Sequence, residues 1–433
     1  MIFPETWKTC NISDVMIVER GASPRPIKEY LTNLKDGVNW IKIGDADKDE
    51  KYIYSTHEKI KKEGVLKSRF VHNGDLLLSN SMSFGRPYIL KTSGCIHDGW
   101  LVLHLKSSQL SVDFFYYQLL SQSVYLQFSN LAAGAVVKNL NSDAVKHVEI
   151  VVPPLAEQGR IVAKIEELFA GIDAGVENLK SVKNQIALYR QSVLKSAFLK
   201  VTAWEKLSNI CLVIKVGPFG TMLHEADYIS NGIPLVNPSQ IKNSKILPKQ
   251  DKCISPQKAE ELKEYRLMQG DIVLGRRGEM GRCATVDEME VGWLCGTGSI
   301  LIRLKKQMNA PFYNFFLASP LNVRYLEDNA TGTTMKNLNE KIVANIPVPV
   351  PTLAEQERIV AEIESRFERA DALETAVDRA LNDAEKLKQA VLKKAFSGKL
   401  VPQNPDDEPA SVLLARIRAA RASELPAKKG KRK

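Results

Sequence analysis

The sequence predicts an α+β protein in which two similar α/β globules are separated by two long helices that form an antiparallel coiled coil. The first observation is an internal repeat, because Leu155-Ala156-Glu157-Gln158 returns at 353–356 and the match continues through a helical segment. The second is a stripe of apolar residues, spaced by three and four, after each copy. The third is the β-rich sequence before each copy, interrupted by turn residues. A repeat this long predicts two complete globule-plus-helix units rather than a solenoid.

Composition indicates a globular protein with a basic charge balance. The 433 residues are 44% hydrophobic and 25% charged, which suits two or three domains with real cores. The net charge of +10 fits a polyanionic partner, although part of it lies in the terminal run Lys428–Lys433. No apolar segment follows Met1 and no run is long enough to span a membrane, so we expect a cytoplasmic protein.

The cysteines and histidines indicate neither a disulfide framework nor a metal site. The six cysteines form no C-x-x-C pair and do not recur at equivalent positions in the two copies. We expect reduced, mostly buried thiols at Cys10, Cys95, Cys211, Cys253, Cys283 and Cys295. We interpret the scattered histidines as ordinary surface or core residues, at His57, His72, His97, His104, His147 and His224.

The first globule is predicted to combine short strands with a few helices. Strands are expected at 40–43, 75–78 and 101–105, and helices at 56–62 and 112–128. The second globule repeats this order, and we pair Trp7 with Trp204, Gly21 with Gly217, Gly74 with Gly270 and Gly85 with Gly281. The loops between the paired positions differ, so we expect a shared scaffold with different surfaces.

Each long helix is predicted to begin after a proline. Thr352 is a candidate N-cap, with Glu355 in the capping-box position. A helix from Leu155 to Leu199 is roughly 67 Å long at about 1.5 Å per residue. Apolar stripes of this length predict a coiled coil. Gly171 and Gly175 weaken the first helix near its middle and leave room for close packing.

The charges of the two helices favour antiparallel pairing. The first half of each helix is acid-rich and the second half is base-rich, so antiparallel helices set acid against base along their length. The same polarity also complements each helix dipole. After the second helix, Ser397-Gly398 predicts a stop, followed by a polar link and a short amphipathic helix from Ser411 to about Ala422. We expect the final lysines to be disordered.

The sequence lacks the motifs of a nucleotide-dependent or methyl-transferring enzyme. There is no Gly-rich nucleotide loop and no Asn-Pro-Pro-aromatic run; Asn237-Pro238-Ser239-Gln240 lacks the second proline and the aromatic residue. We therefore expect no catalysis by this chain alone. The Gly-rich segment from Gly275 to Gly281 is either a plain hairpin turn or a loop whose arginines contact DNA.

The repeated segments resemble the specificity subunit of type I restriction-modification systems. The resemblance rests on the proline-rich start and Leu-Ala-Glu-Gln of each helix, on the paired Lys-Asn-Leu-Asn runs at 138–141 and 336–339, and on the ending at 395–402. It covers almost the whole chain, and its helical motifs are more specific than those of the globules. It implies domains at 1–152 (first target-recognition domain), 153–200 (central helical spacer), 201–350 (second target-recognition domain), 351–400 (C-terminal helical spacer) and 401–433 (tail).

The resemblance also implies partners. Each globule would read one half of a split double-stranded DNA site, and the helices would set the spacing and seat two methyltransferase subunits, which restriction subunits join. S-adenosylmethionine, ATP and Mg²⁺ would bind those partners rather than this chain. The alternatives are the recognition subunit of another split DNA methyltransferase or nuclease, and a non-catalytic coiled-coil adaptor.

Candidate contact residues follow from charge, loop position and the helical motifs. The candidate DNA contacts are Arg25, Arg69, Asn80, Arg86 and Lys138 in the first globule, and Lys215, Arg276, Arg277, Arg282, Lys336 and Asn337 in the second. The candidate subunit-interface residues are Leu155, Gln158, Ile161, Ile165 and Leu168 on the first helix, and Leu353, Gln356, Ile359, Ile363 and Phe367 on the second.

Overall fold

A computed structural model describes residues 3–81, 84–132, 139–249, 251–332 and 336–424, with side chains described up to residue 420. The chain divides into two compact units. Unit 1 comprises Met1–Asn178 and Ala380–Lys433, and unit 2 comprises Leu179–Arg379. Each unit contains one globule and a part of each long helix. No helix in the described ranges is long and apolar enough to cross a membrane.

Unit 1 is built on two five-stranded sheets. Its strands are β1 Lys8–Asn11, β2 Met16–Arg20, β3 Leu31–Thr32, β4 Val38–Ile41, β5 Tyr52–Ile53, β6 Glu58–Ile60, β7 Arg69–Val71, β8 Leu76–Ser79, β9 Pro87–Leu90, β10 Gly94–Ile96, β11 Trp100–Leu105 and β12 Glu149–Val152. Its helices are α1 Ile12–Val15, α2 Ile27–Tyr30, α3 Lys62–Val65, α4 Val112–Leu120, α5 Gln122–Leu131, α6 Ser142–Lys146 and the first part of α7 Leu155–Phe198. The strand orders are β2-β11-β8-β9-β5 and β3-β6-β4-β10-β7, and β1 pairs with β12.

Unit 2 repeats the central part of this plan. Its strands are β13 Trp204–Lys206, β14 Cys211–Val216, β15 Ile233–Val236, β16 Ile241–Lys242, β17 Lys245–Ile246, β18 Cys253–Ile254, β19 Ile272–Gly275, β20 Cys283–Thr285, β21 Leu294–Cys295, β22 Ser299–Leu304 and β23 Pro347–Pro349. Its helices are α8 Leu207–Ile210, α9 Pro256–Glu261, α10 Ala310–Leu317, α11 Pro320–Asn329, α12 Glu340–Ala344 and most of α13 Leu353–Ala395; α14 Ala410–Glu424 belongs to unit 1. The main strand order β14-β22-β19-β20 matches β2-β11-β8-β9.

Strand β11 of unit 1 and strand β22 of unit 2, each an inner strand of its main sheet, are buried on both faces, which explains their continuous apolar sequences. In β11, Leu101 and Leu103 enter the main core of unit 1, while Trp100 and Val102 enter a second core on the other face. In β22, alternate residues divide between two cores of unit 2 in the same way. The predicted strands at 75–78 and 101–105 are confirmed with shifts of one residue, whereas the strand at 40–43 lies at 38–41.

Two of the predicted helices of the first globule are corrected. Residues 56–61 are not helical, because Glu58–Ile60 pairs with β4 and buries Ile60, and α3 begins only at Lys62; sheet pairing here overrides the helix propensity of a charged segment. The helix predicted over 112–128 is broken at Ser121, whose backbone is extended. The equivalent break in unit 2 precedes Pro320, which restricts the residue before it to extended conformations.

The pairing of glycines across the repeat is confirmed. The N–H of Gly21 donates to the Trp100 carbonyl at 2.9 Å, and that of Gly217 donates to the Ser299 carbonyl at 2.9 Å. At both positions a Cβ would collide with a backbone carbonyl, so only glycine fits.

The pairing of Trp7 with Trp204 is wrong by two residues. Thr9 is opposite Val151 and Trp204 is opposite Pro349, and positions 151 and 349 are equivalent in the repeat. The counterpart of Trp204 is therefore Thr9. Register is set by pairing with the last strand of each globule, which the tryptophan pattern does not reveal.

The long helices pair in antiparallel fashion in each unit, as the charges predict. In unit 1, Lys388 contacts Asp173 at 2.5 Å and lies over the ring of Phe169. In unit 2, the equivalent Arg190 contacts Asp371 at 2.5 Å and lies over Phe367. The predicted fold class is thus confirmed. Neither Gly171 nor Gly175 has a described atom within 4 Å of the place where a Cβ would be, so close packing at these glycines is not seen.

The other expectations for the helices and cysteines also agree with the structure. Thr352 accepts the N–H of Glu355 at 3.4 Å, and the short C-terminal helix is α14. The cysteines are free; all but Cys211 are buried. The terminal lysines lie outside the described residues.

Candidate nucleic-acid interface

The loop between β19 and β20 is held by the segment that precedes α12. Arg276 donates its Nε to Asn337 Oδ1 at 2.9 Å, and its carbonyl accepts the N–H of Leu338 at 2.9 Å. Arg277 forms a β-bridge with Asn337, which also pairs with Thr331. Two segments about sixty residues apart therefore form one surface, and four of the predicted contacts meet there: Arg276, Arg277, Lys336 and Asn337.

This loop surface carries uncompensated positive charge. Partial burial, and then the charge of Arg277, lower the pKa of Arg276. Arg277 is exposed and forms no ion pair within the described part of the chain, and Lys336 is exposed with its Nζ on the carbonyl of Glu327 at 2.8 Å. Two neighbouring guanidinium groups of like charge favour an anion or an acceptor-rich base edge beside them.

The other two predicted contacts of unit 2 have internal partners. Lys215 forms an ion pair with Glu264, whose hydrogen bond raises the pKa of the lysine, and lies over the ring of Tyr265. Arg282 pairs with Glu279 and donates to the carbonyl of Pro238 at 3.2 Å. Their charges are already balanced, which makes them weaker contact candidates than Arg277.

In unit 1, the equivalent loop presents a different side chain from the same backbone. The N–H of Asn80 donates to the carbonyl of Gly99 at 3.0 Å, and the carbonyl of Asn80 accepts the N–H of Leu140 at 2.9 Å. In the same way, the N–H of Arg276 donates to the carbonyl of Gly298, and the carbonyl of Arg276 accepts the N–H of Leu338, both at 2.9 Å. Asn80 is only 1% exposed, however, and its amide donates to the carbonyl of Asp98 at 2.7 Å. As a correction to its predicted role, Asn80 holds the loop and has no surface open to a ligand.

The remaining candidates of unit 1 are scattered rather than grouped. Arg25 has a side chain that is 82% exposed and lies 3.5 Å from Asp98. Arg69 pairs with Glu19 at 3.1 Å. Arg86 lies over the ring of Tyr88, and its buried Nε has no hydrogen-bond partner among the described residues. Lys138 lies outside the described residues.

Asp98 is a residue that sequence reasoning missed. Its carboxylate accepts a hydrogen bond from the hydroxyl of Ser23 at 2.8 Å. Its backbone carbonyl accepts hydrogen bonds from the side-chain amide of Asn80 and from the Nε of Arg20. Burial alone would raise its pKa, but the hydrogen bond from Ser23 and neighbouring charges hold the pKa below the usual value. A single acidic residue in a turn carries no sequence signal of this role.

The start of each long helix is anchored by the glutamine of the Leu-Ala-Glu-Gln run. Gln158 accepts the N–H of Ser111 at 3.1 Å and donates to the carbonyl of Pro153 at 3.0 Å. Gln356 does the same with Asn309 at 3.0 Å and Pro351 at 2.9 Å. The glutamine thus links the proline turn, the helix and the N-terminus of α4 or α10.

Most of the residues predicted to contact another subunit are occupied within the chain. The buried ones are Gln158, Ile161, Ile165, Gln356, Ile359 and Ile363; Leu168 and Phe367 are partly buried. Leu155 and Leu353 are exposed. The intrachain cores cover the six buried residues and part of Leu168 and Phe367, so Leu155 and Leu353 are the members of this predicted set with an exposed apolar side chain.

The repeat that the structure displays is also found by comparison with known families. The sequence model of the family described as "Type I restriction modification DNA specificity domain" matches residues 4–184 and 206–382. The chain belongs to this family. It is 26% identical to the type I restriction enzyme EcoBI specificity subunit of Escherichia coli, over 99% of this chain and 95% of that protein. It is 26% identical to the EcoKI specificity subunit of Escherichia coli strain K12, over 99% and 98%.

Solved structures of the specificity-domain family share the fold. A chain from a structure described as "Structural basis underlying complex assembly and conformational transition of the type I R-M system" has a TM-score of 0.69 at 20% identity, covering 92% of this chain and 100% of that chain. The HsdS subunit from Thermoanaerobacter tengcongensis has a TM-score of 0.51 at 19% identity, covering 92% and 98%.

Proposed function

We propose that this member of the specificity-domain family is the DNA-binding subunit of a type I restriction-modification complex, in which each globule reads one half of a bipartite target. The observation that supports this most directly is the loop after β8 and β19. The backbone hydrogen bonds of Asn80 and Arg276 are the same, but one side chain is buried and the other is half-exposed beside Arg277. One scaffold with two loop chemistries suits two unlike half-sites.

The contacts that we propose in unit 2 are Arg277, Lys336 and, in part, Arg276. Arg276 and Asn337 position the loop, because their side chains bond each other. Arg277 and Lys336 are exposed on the same surface, where they can reach a phosphate or a base edge. In unit 1 we propose Arg25, for the exposure of its side chain, and Arg86, for its partly exposed position in the loop between β8 and β9.

We propose that the chain acts through partners and is itself non-catalytic. The domains would be the globules 1–152 and 201–350, the helical spacers 153–200 and 351–400, and the tail 401–433. Two methyltransferase subunits would dock on the helices, and restriction subunits would join them. S-adenosylmethionine, ATP and Mg²⁺ would bind those partners; the described residues of this chain contain no group of three His, Cys, Asp or Glu suited to a metal ion.

The test of this function is the methylation pattern of a host that expresses the chain with its methyltransferase subunit. We expect one bipartite sequence, two short specific parts separated by unread base pairs, to become methylated. A host that expresses the methyltransferase subunit alone is the control. A single continuous methylated sequence, or methylation that does not depend on this chain, would contradict the proposal.

A further inference from the structure

In unit 1, the C-terminal segment of the chain fills a groove at the start of α7. The buried carboxylate of Glu157 accepts the indole N–H of Trp7 at 2.9 Å and the side-chain amide of Gln403. Arg160 contacts Asp407 at 2.5 Å, and the side chain of Asp407 is only 6% exposed. Helix α14 follows and buries apolar side chains in the core of unit 1. The groove thus binds a turn with one amide and one carboxylate, followed by a short helix.

Unit 2 has the counterpart of this groove at the start of α13, which we call the α13 groove. Its lining includes Lys200 and Val201 after the end of α7, and Glu355, Arg358, Glu362 and Arg366 on α13. Glu355 and Arg358 occupy the repeat positions of Glu157 and Arg160. Glu355 is exposed, and the side chain of Arg358 is 66% exposed; among the described residues its one ion pair is with Glu362, at 3.7 Å. Both anchoring groups of unit 1 are therefore present in unit 2, and both face solvent.

Apolar side chains flank the α13 groove. Val201 lines it; Leu199, two residues before Val201, is 62% exposed, and Trp204, three residues after it, is 42% exposed. The N–H of Val350 bonds the carbonyl of Ala203 at 2.9 Å, so this apolar segment runs beside the start of α13. Exposed apolar residues beside solvent-exposed charged groups are typical of a protein-binding surface.

We propose that the α13 groove binds a segment of a partner subunit that presents a carboxylate to Arg358 and an amide donor to Glu355, followed by a short amphipathic helix. The occupant of the unit 1 groove has this chemistry. Nucleic acid is a poorer occupant, because Glu355 and Glu362 alternate with Arg358 and Arg366 along α13, and a run of phosphates that followed the basic residues would also lie beside the carboxylates. The inference deepens the proposed docking of other subunits and rests on it only for the identity of the partner.

A labelled peptide of residues 400–420 can stand in for the partner segment. The wild-type full-length chain should bind this peptide saturably in fluorescence anisotropy. Because the groove of unit 1 is already filled by the chain's own C-terminal segment, this binding reports on the α13 groove. Arg358→Glu should weaken binding at least about tenfold, equivalent to about 1.4 kcal/mol. Arg369→Glu, an exposed arginine on the same helix outside the groove, is the matched control and should bind normally. A peptide carrying Asp407→Arg should bind the Arg358→Glu chain better than the wild-type chain.

Three results would overturn the inference. The first is no saturable binding to the wild-type chain up to about 1 mM peptide. The second is binding that Arg160→Glu abolishes and Arg358→Glu does not, which would place the peptide in unit 1. The third is displacement of the peptide by non-specific duplex DNA, which would make nucleic acid the occupant. Because this assay needs no partner and no target site, its failure would leave the proposed DNA recognition intact.

Discussion

At the scale of single residues, the two globules neutralise the same buried carboxylate with different cations. In unit 2, Asp271 accepts two hydrogen bonds from Arg303, at 2.8 and 2.7 Å. In unit 1 the equivalent Asp75 faces His104, whose Nδ1 lies 3.1 Å away. A guanidinium keeps its charge at any physiological pH, whereas an imidazole does not.

This difference predicts that the contact in unit 1 loses its stabilising effect as pH rises from about 6.5 through the folded pKa of His104, whereas the Arg303 contact of unit 2 keeps it. The hydrogen bond to Asp75 raises the pKa of His104, and Glu19 at 3.8 Å acts in the same direction, against Arg69. A raised pKa gives stability that is complete below the unfolded value of about 6.5 and is lost as pH rises through the folded value. The hydrogen exchange of β8 and β11 should therefore quicken over that range.

His104→Arg should remove the pH dependence. His72, which is exposed at 3.9 Å from Asp75, provides the control, since His72→Gln should leave the dependence in place. The pKa of Asp75 changes in the opposite direction: burial alone would raise it, but the hydrogen bond from His104 lowers it. The stability that Asp75 contributes is lost only in acid, as pH falls through the folded pKa of this carboxyl group. An equal pH slope in His104→Arg would show that another group is responsible.

Arg277 is the single residue that we expect to matter most for the half-site of unit 2. It is exposed, adjoins Arg276 and forms no ion pair among the described residues. Arg277→Ala should weaken binding to the cognate site by about 1–3 kcal/mol if the arginine bonds a guanine, and by less with a reduced salt dependence if it bonds a phosphate. Binding titrations at several salt concentrations distinguish the two. Arg369→Ala is the control, and wild-type behaviour of Arg277→Ala would remove the residue from the interface.

At the scale of elements, the glutamine at the start of each long helix holds helix and globule together. Its amide joins two backbone groups that lie 42 residues apart in each unit, at 111 and 153 in unit 1 and at 309 and 351 in unit 2. Both glutamines are buried. Removal of the side chain would leave one backbone N–H and one backbone C=O, at partly or fully buried positions, without these partners.

We expect Gln158→Ala to destabilise unit 1, and Gln356→Ala unit 2, by roughly 1–3 kcal/mol for each backbone group left unpaired. Chemical denaturation followed by unit-resolved hydrogen exchange measures the effect. Gln185→Ala, at an exposed position on α7, should change stability by less than about 0.5 kcal/mol. Equal effects of the buried and exposed substitutions would mean that water replaces the lost hydrogen bonds.

At the scale of the whole molecule, the repeat makes the globules exchangeable. Each is closed by pairing of its first and last strands, β1 with β12 and β13 with β23. Replacement of residues 201–350 by those of another family member should therefore preserve folding and alter one half of the methylated sequence. Sequencing of methylated sites in the host gives the result. Changes in both halves would show that the globules do not read independently.

The sequence by itself determined the features that are local or periodic. The repeat, the two long helices and their antiparallel direction follow from apolar spacing and from the order of acidic and basic residues, and Lys388 with Asp173 shows the expected pairing. The pairing of Gly21 with Gly217 could also be predicted from the sequence, because only glycine tolerates the close approach of a backbone carbonyl at these positions. These properties depend on neighbours within a few turns of the chain, or on a pattern repeated along it.

The tertiary structure alone decided which of these residues remain available. From the sequence, Asn80 and Arg276 are equally good candidates for a DNA contact. In the structure, the side-chain amide of Asn80 is buried and donates to the carbonyl of Asp98. The C-terminal segment covers Glu157 and Arg160 but leaves Glu355 and Arg358 open, although the sequence around them is repeated. Burial and hydrogen-bond partners depend on groups that are distant along the chain, so identical motifs in the two copies can have different surroundings.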